Sequence, residues 1–385
     1  MLIPHMPKLL LPLLALAVFA AEPPKAVFEN LPAYELANSR VKLHVLEQGS
    51  SIASFSLLDK DDHFSPLWNP SATARAAGQK NTFGNSLGHF LCLDGFGASS
   101  TEEQNAGYPF HGEAFSQKWT LQHAAHDGPT SVLVLSTHLP LAYEDVQRTY
   151  RLNQGEQVVS VETQVTSLLA FDRPLQWAEH ATIGEPFLKP GVTVVDMSAA
   201  RARTRPYEPG PTGLPHRLPP GKDFTWPMAP SLAGKKIDLR AEPLNPNSGD
   251  HTTQLMLPGR TAFVTMLNPE MHLLLGYLFR PEQFPWTQNW EYYPAAGLYA
   301  RGLEFSTQPF DVPRRQVVQQ NTMFDAPMYR WLPARAKIES RFLMFYTRVP
   351  DDMRKVDDVR LENGVITIED RHAHRSVQLK TALSL

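Results

Sequence analysis

VQRTYRLNQGEQVVSVETQVTS, residues 146–167, decides the fold. Two β-prone runs flank the turn-forming NQGE, which is the signature of a hairpin. In the second run Val159, Val161, Thr163 and Val165 fall on one face, and Ser160, Glu162 and Gln164 on the other. That period of two marks a strand with one buried face.

The same pattern continues outward along the chain. VKLHVLE (41–47) and SIASFSLL (51–58) flank Gln48-Gly49-Ser50 and form a second hairpin. SVLVLSTH (131–138), AFVTML (262–267), HLLLGYLF (272–279) and RFLMFYTR (341–348) are further strands. VRLENGVITI (359–368) holds Asn363-Gly364 between two β runs, the strongest short hairpin signal. No segment keeps a 3.6-residue apolar period beyond a turn or two. Strands at short intervals with turn residues between them specify an all-β sandwich or barrel.

Composition agrees. Of 385 residues 42% are hydrophobic and 19% charged, which fits a folded chain rather than a disordered one. The 34 prolines argue against a helical bundle. A net charge of -3 with scattered basic residues gives no electrostatic case for nucleic acid.

The N-terminus, MLIPHMPKLLLPLLALAVFAAEPPK, places Lys8 before an apolar run from Leu9 to Phe19 and small residues at Ala20 and Ala21. This is a signal-peptide pattern over 1–21. The run is shorter than the about 20 residues a spanning helix needs, so cleavage and a periplasmic or secreted product are expected, with no membrane partner afterwards. Cys92, the single cysteine, cannot pair within the chain and reads as a buried small residue. The expected organisation is one β domain over 26–350 and a C-terminal β-hairpin extension over 351–385.

Residues 203–224 are rich in Pro and Gly and read as a long surface loop. Gly84-Asn85-Ser86-Leu87-Gly88 matches the G-x-S-x-G of a nucleophile elbow, but that motif needs a helix after it, and HFLCLDGFG is too short and glycine-rich. Gly95-Phe96-Gly97 lacks the context of a nucleotide loop. Fourteen histidines include no H-E-x-x-H or paired spacing, so no metal or other cofactor is expected. His372 and His374 would share a face only if that tail were extended, and read as surface residues.

Four stretches in order carry a resemblance: GHFLCLDGFG (88–97) with YPFHGEAFSQKW (108–119), the 146–167 hairpin, QWAEHATIGEPFLKPG (176–191) and RGLEFSTQPF (301–310). Together they resemble the aldose 1-epimerase, or galactose mutarotase-like, superfamily, with features of its hexose-6-phosphate mutarotase branch. The resemblance spans roughly residues 40–347. It implies a large antiparallel β-supersandwich with its site in a cleft across one sheet, and a small-molecule sugar as substrate.

Interconverting sugar anomers takes two proton transfers, one from the anomeric hydroxyl and one to the ring oxygen. A carboxylate and an imidazole suit them because environment can bring both toward the working pH. By the resemblance Glu304 is the general base and His180 the general acid, facing each other across a ring-sized pocket. Glu304 lies inside an apolar run and shares a strand face with Gly302 and Ser306, which leaves space beside it. His111 matches the family histidine that bonds the sugar, and Gly112 allows close backbone approach. Members often carry an Arg three residues after that glycine; Phe115 stands here, which argues against a phosphorylated sugar. Gln308, Trp286, Asn289 and Trp290 are candidate substrate contacts, with Asp223 a further hydroxyl ligand and Asp94 a minor candidate.

Two alternatives stand beside an isomerase. A glycosidase or polysaccharide lyase would use two carboxylates, Glu179 or Glu185 with Glu304. A non-catalytic carbohydrate-binding protein would keep the fold without turnover.

Overall fold

The computed structural model describes residues 25–385 except 61–63, 85, 207–212, 242 and 244. The stretch read as a signal peptide lies outside the described residues. The hairpin at the centre of the sequence pairs Glu144–Asn153 with Val158–Ser167 in antiparallel register, Tyr150 opposite Val161. It sits inside an eight-stranded sheet, between Thr130–Leu139 and Lys337–Arg348. A second sheet of 13 strands faces it. At its centre His89–Leu93, Trp177–Gly184, Ala300–Ser306, Trp286–Tyr293 and Ser248–Met256 run side by side, all antiparallel.

One apolar core joins the two sheets. Val159, Val161 and Val165 pack in it with Tyr277 and Phe342, and meet Leu91, Trp177, Ile183, Leu303 and Phe305 of the large sheet. Each such side chain contributes about 1.5–3 kcal/mol on burial. Val158, on the opposite face of its strand, belongs to another cluster. There Leu274, Leu278, Leu343 and Phe345 are covered by Val359, Ile366, Ile368 and Leu379. The covering residues come from three C-terminal strands, Asp358–Glu362, Val365–Asp370 and Arg375–Lys380. The expected hairpin is therefore joined by a third strand. Its first turn has Asn363 at φ 49° and Gly364 at φ 75°, the two positive values a two-residue turn of this hand requires.

Helices are short, seven residues at most among the described ones. The stretch expected as a loop over 203–224 begins and ends in paired strands, Ala199–Thr204 and Asp223–Thr225. Its described interior is pinned as well as solvated: the backbone N–H groups of Arg217 and Leu218 both donate to Asp250 Oδ1 at 3.1 Å, and Leu218 is buried. His372 lies in a turn, so it and His374 do not share an extended face.

Candidate active site

Strand alternation sorts Trp177–Gly184 into two functions. Trp177, Ala181 and Ile183 enter the core, and so does Glu179. Glu179 accepts from Arg148 Nη2 at 2.7 Å and Trp177 Nε1 at 3.3 Å, and lies 2.9 Å from His89 Nε2. Burial opposes its charge, but Arg148 and His89 outweigh that and hold its carboxyl below the usual range. His180, one residue on, points the other way. Across the ladder Leu303 and Phe305 enter the core while Glu304 points to the same side as His180.

The two side chains meet. His180 Nε2 lies 3.2 Å from Glu304 Oε1. The expected pair is brought together, yet not across a ring-sized gap: the groups touch. His180 Nδ1 is 3.0 Å from Thr182 Oγ1, and its ring stacks on Phe90 with centroids 4.3 Å apart. Burial, then His111, pushes the His180 pKa well below its ordinary value. Burial raises that of Glu304 to about 8, with Arg205 opposing. At neutral pH the pair holds one proton, on the carboxyl group.

Both residues line a cavity of about 170 Å³. Trp68, Phe83, Phe90, Phe96, Phe110 and Trp290 form its apolar wall. His111, His251, Asp311 and Ser86 complete the polar lining among the described residues. Phe110 stands at the rim, 61% exposed. His111 has φ 66° and its Nδ1 accepts from the N–H of Gly97 at 3.2 Å, which leaves the ring proton on Nε2. Burial holds its pKa at about 3. Gly112 lies against Leu93, where a Cβ would overlap the Leu93 carbonyl, so the close approach expected of it is real. Phe115 packs on Phe90 with ring centroids 4.4 Å apart.

Of the remaining expected contacts only Trp290 reaches the cavity. Trp286 is fully buried in a separate cluster with Phe310 and Met328, its Nε1 donating to the Pro327 carbonyl at 2.8 Å. Asn289 is enclosed, accepting from Arg301 Nε at 2.7 Å and donating to Glu291 at 2.8 Å. Gln308 is buried outside the cavity lining and donates to the Phe310 carbonyl at 2.8 Å. Asp223 lies in the short strand Asp223–Thr225, away from the cavity lining, and is paired with Arg203. Asp94 is buried in an ion cluster with Arg173 and Arg314. Cys92 is buried 3.4 Å from His111, its thiol pKa pushed far up by burial.

The carboxylate pairs considered for a glycosidase do not form. Glu179 faces the core, and Glu185 accepts from the Tyr299 N–H at 2.9 Å beside a different groove. Ser86 touches the cavity, but a strand, His89–Leu93, follows it rather than a helix, so there is no nucleophile elbow. No group of three or more His, Cys, Asp or Glu is placed to hold a metal among the described residues. His251 and Asp311 were missed in the sequence. His251 lies in Ser248–Met256, which is buried on nearly every residue and so shows no alternation to single it out. Asp311 directly follows the RGLEFSTQPF motif.

No protein-family profile matches the chain, and no curated protein sequence matches it. Solved structures do. A galactose mutarotase-like protein from Clostridium acetobutylicum aligns over 86% of this chain and 99% of its own, with 12% identity and TM-score 0.58. A galactose mutarotase related enzyme from Lactobacillus acidophilus aligns over 84% and 99%, with 13% identity and TM-score 0.56. A galactose mutarotase-like protein from Lactobacillus casei aligns over 82% and 100%, with 16% identity and TM-score 0.55. The architecture is thus an antiparallel β-supersandwich. Its fold is that of the galactose mutarotase-like superfamily, as the sequence resemblance implied. These likenesses do not distinguish the hexose-6-phosphate branch from the rest.

Proposed function

We propose that this protein is an aldose 1-epimerase-like isomerase that interconverts the anomers of a neutral sugar. One observation carries the proposal: an imidazole and a carboxyl group stand 3.2 Å apart in the lining of a small aromatic-walled cavity. Aromatic faces suit the C–H faces of a pyranose. A sugar entering the cavity takes up the hydrogen bonds that His180 and Glu304 now make to each other. One member of the pair then gives its proton to one ring-opening oxygen while the other takes a proton from the second oxygen. Ring closure after rotation reverses the transfers. The resemblance assigns Glu304 the base and His180 the acid role. With the resting proton on Glu304, the pair starts from the half-cycle in which the carboxyl donates and the imidazole accepts. Because opening and closure are each other's reverse, both groups serve as acid and as base.

The described lining residues include no Lys or Arg, and Phe115 stands where an arginine would reach a phosphate. Both favour an unphosphorylated sugar. The signal-peptide reading of residues 1–21 adds an exported location to the proposal. No described helix is long and apolar enough to cross a membrane.

The test is anomer exchange measured by NMR on a panel of free sugars, comparing wild type with His180→Asn and Glu304→Gln. The proposal expects wild-type turnover and loss of about 10²-fold or more in each variant. Equal rates in all three proteins overturn it. Sugar binding without exchange in any of them assigns the cavity to a non-catalytic binder instead.

A further inference from the structure

His251 sits in the strand Ser248–Met256, directly opposite Trp290 of the neighbouring strand. It is 4% exposed, and its ring lines the cavity that holds His180 and Glu304. Arg205 Nη1 stands 3.1 Å from His251 Nδ1 in hydrogen-bonding geometry, and the same guanidinium pairs with Asp311. Asp311 Oδ1 also lies 3.1 Å from Nδ1. Of these two neighbours only Arg205 has hydrogen-bonding geometry toward Nδ1, and a guanidinium can only donate, so Nδ1 accepts and the ring proton is left on Nε2. Burial, reinforced by the Arg205 charge, keeps the ring neutral.

That Nε2 is buried and has no hydrogen-bond partner among the described residues. Trp68 Nε1, on another part of the wall, is in the same condition. Buried polar groups without partners are rare in folded proteins and call for an explanation. Here Arg205 holds the ring at Nδ1, and the ring borders a cavity of about 170 Å³ that admits only a compact ligand. Such a donor rewards a ligand oxygen and penalises an analogue lacking it.

We propose that His251 is a substrate-binding residue of the cavity, donating its Nε2–H to one oxygen of a neutral monosaccharide, with Arg205 and Asp311 as the positioning residues that fix its tautomer. This rests on the sugar reading above and adds a named contact to it.

The experiment has two arms. Imidazole ¹H–¹⁵N NMR of the protein without sugar reads the tautomer directly. The Nε2–H form is expected; an Nδ1–H form overturns the proposal whatever the protein turns over. In the second arm, anomer exchange is measured with D-glucose, D-galactose, D-mannose and D-xylose, and with singly deoxygenated analogues of whichever is turned over. His251→Leu is expected to raise KM by about 10-fold or more with kcat changed little, and His251→Gln, which keeps an N–H, to recover part of the loss. One deoxy analogue should carry the same penalty in wild type and none in His251→Leu. Wild-type turnover with an unchanged KM in His251→Leu overturns this contact and leaves the isomerase intact. If wild type neither binds nor converts any of the four sugars, the sugar reading falls and this contact falls with it.

Discussion

The carboxyl group of Glu304 occupies the space in which a side chain at Gly302 would begin. A Cβ built on Gly302 overlaps Glu304 Oε1 and stands 3.1 Å from its Cδ. Residues two apart share a strand face, so the glycine is what lets the carboxyl lie flat beside its own strand and reach His180. Gly302→Ala should therefore displace Glu304 while the sheet persists. The expected result is a loss of roughly 10- to 100-fold in kcat, the cost of misplacing a catalytic group by about 1 Å, with an unchanged circular dichroism spectrum. Full activity in this variant would mean that the carboxyl position is not set by the glycine.

The pH profile follows from the proton the pair holds. Glu304 keeps its proton up to about pH 8, and the His180 ring stays neutral well below its ordinary value. Activity should hold steady through neutral pH and fall as pH rises through about 8, when the pair loses its single proton. A kcat/KM profile that falls instead below neutrality, as an ordinary histidine and carboxylate would give, contradicts the assignment.

Stability should respond in the same window. The folded-state pKa of Glu304, about 8, lies above its ordinary value of 4.5. Between these values the unfolded chain has released the proton and the folded chain has not, so stability declines as pH rises. Glu304→Gln removes this decline. Each pH step of one across that window is worth about 1.36 kcal/mol, so the variant should gain on wild type by a few kcal/mol from acid to alkaline pH. Thermal unfolding of both proteins across that range measures it; parallel curves would place an ionised carboxylate in the site.

The neighbour of His180 should behave in the opposite way. Glu179 and Arg148 are a fully buried ion pair in the core, so removing one partner strands a charge. Glu179→Gln should cost on the order of 3–5 kcal/mol in denaturant unfolding, while Arg148→Met with Glu179→Leu should cost much less. Below the melting temperature the double variant should keep the anomer-exchange rate. Loss of turnover in a folded double variant would draw this core pair into the chemistry.

The hairpin at 146–167 was legible because the two faces of its second strand differ in character: Val159, Val161 and Val165 enter the main core, while Ser160, Glu162 and Gln164 put polar groups on the other face, which writes alternation into the residues. Asn363-Gly364 was legible for a local reason, since few residue pairs accept two positive φ values. The His180–Glu304 pair came from motif context, and the sequence had no means of giving their 3.2 Å separation, which depends on two strands 124 positions apart lying side by side. Trp286 and Trp290 look alike in FPWTQNWEYY. Only the packing of Phe310 and Met328 over the first decides that one is core and the other cavity wall. His251 was invisible because Thr252, Thr253 and Gln254 beside it are as buried as it is.

The strand Trp177–Gly184 places the core carboxylate of Glu179 and the cavity-lining imidazole of His180 on consecutive residues with opposite orientations. A slip of one position would turn the histidine into the core and the glutamate to the cavity side of the sheet. Length changes upstream of this strand can therefore be absorbed only in the turns. An inserted residue within it would cost the protein both the Arg148–Glu179 ion pair and the His180–Glu304 contact at a single stroke.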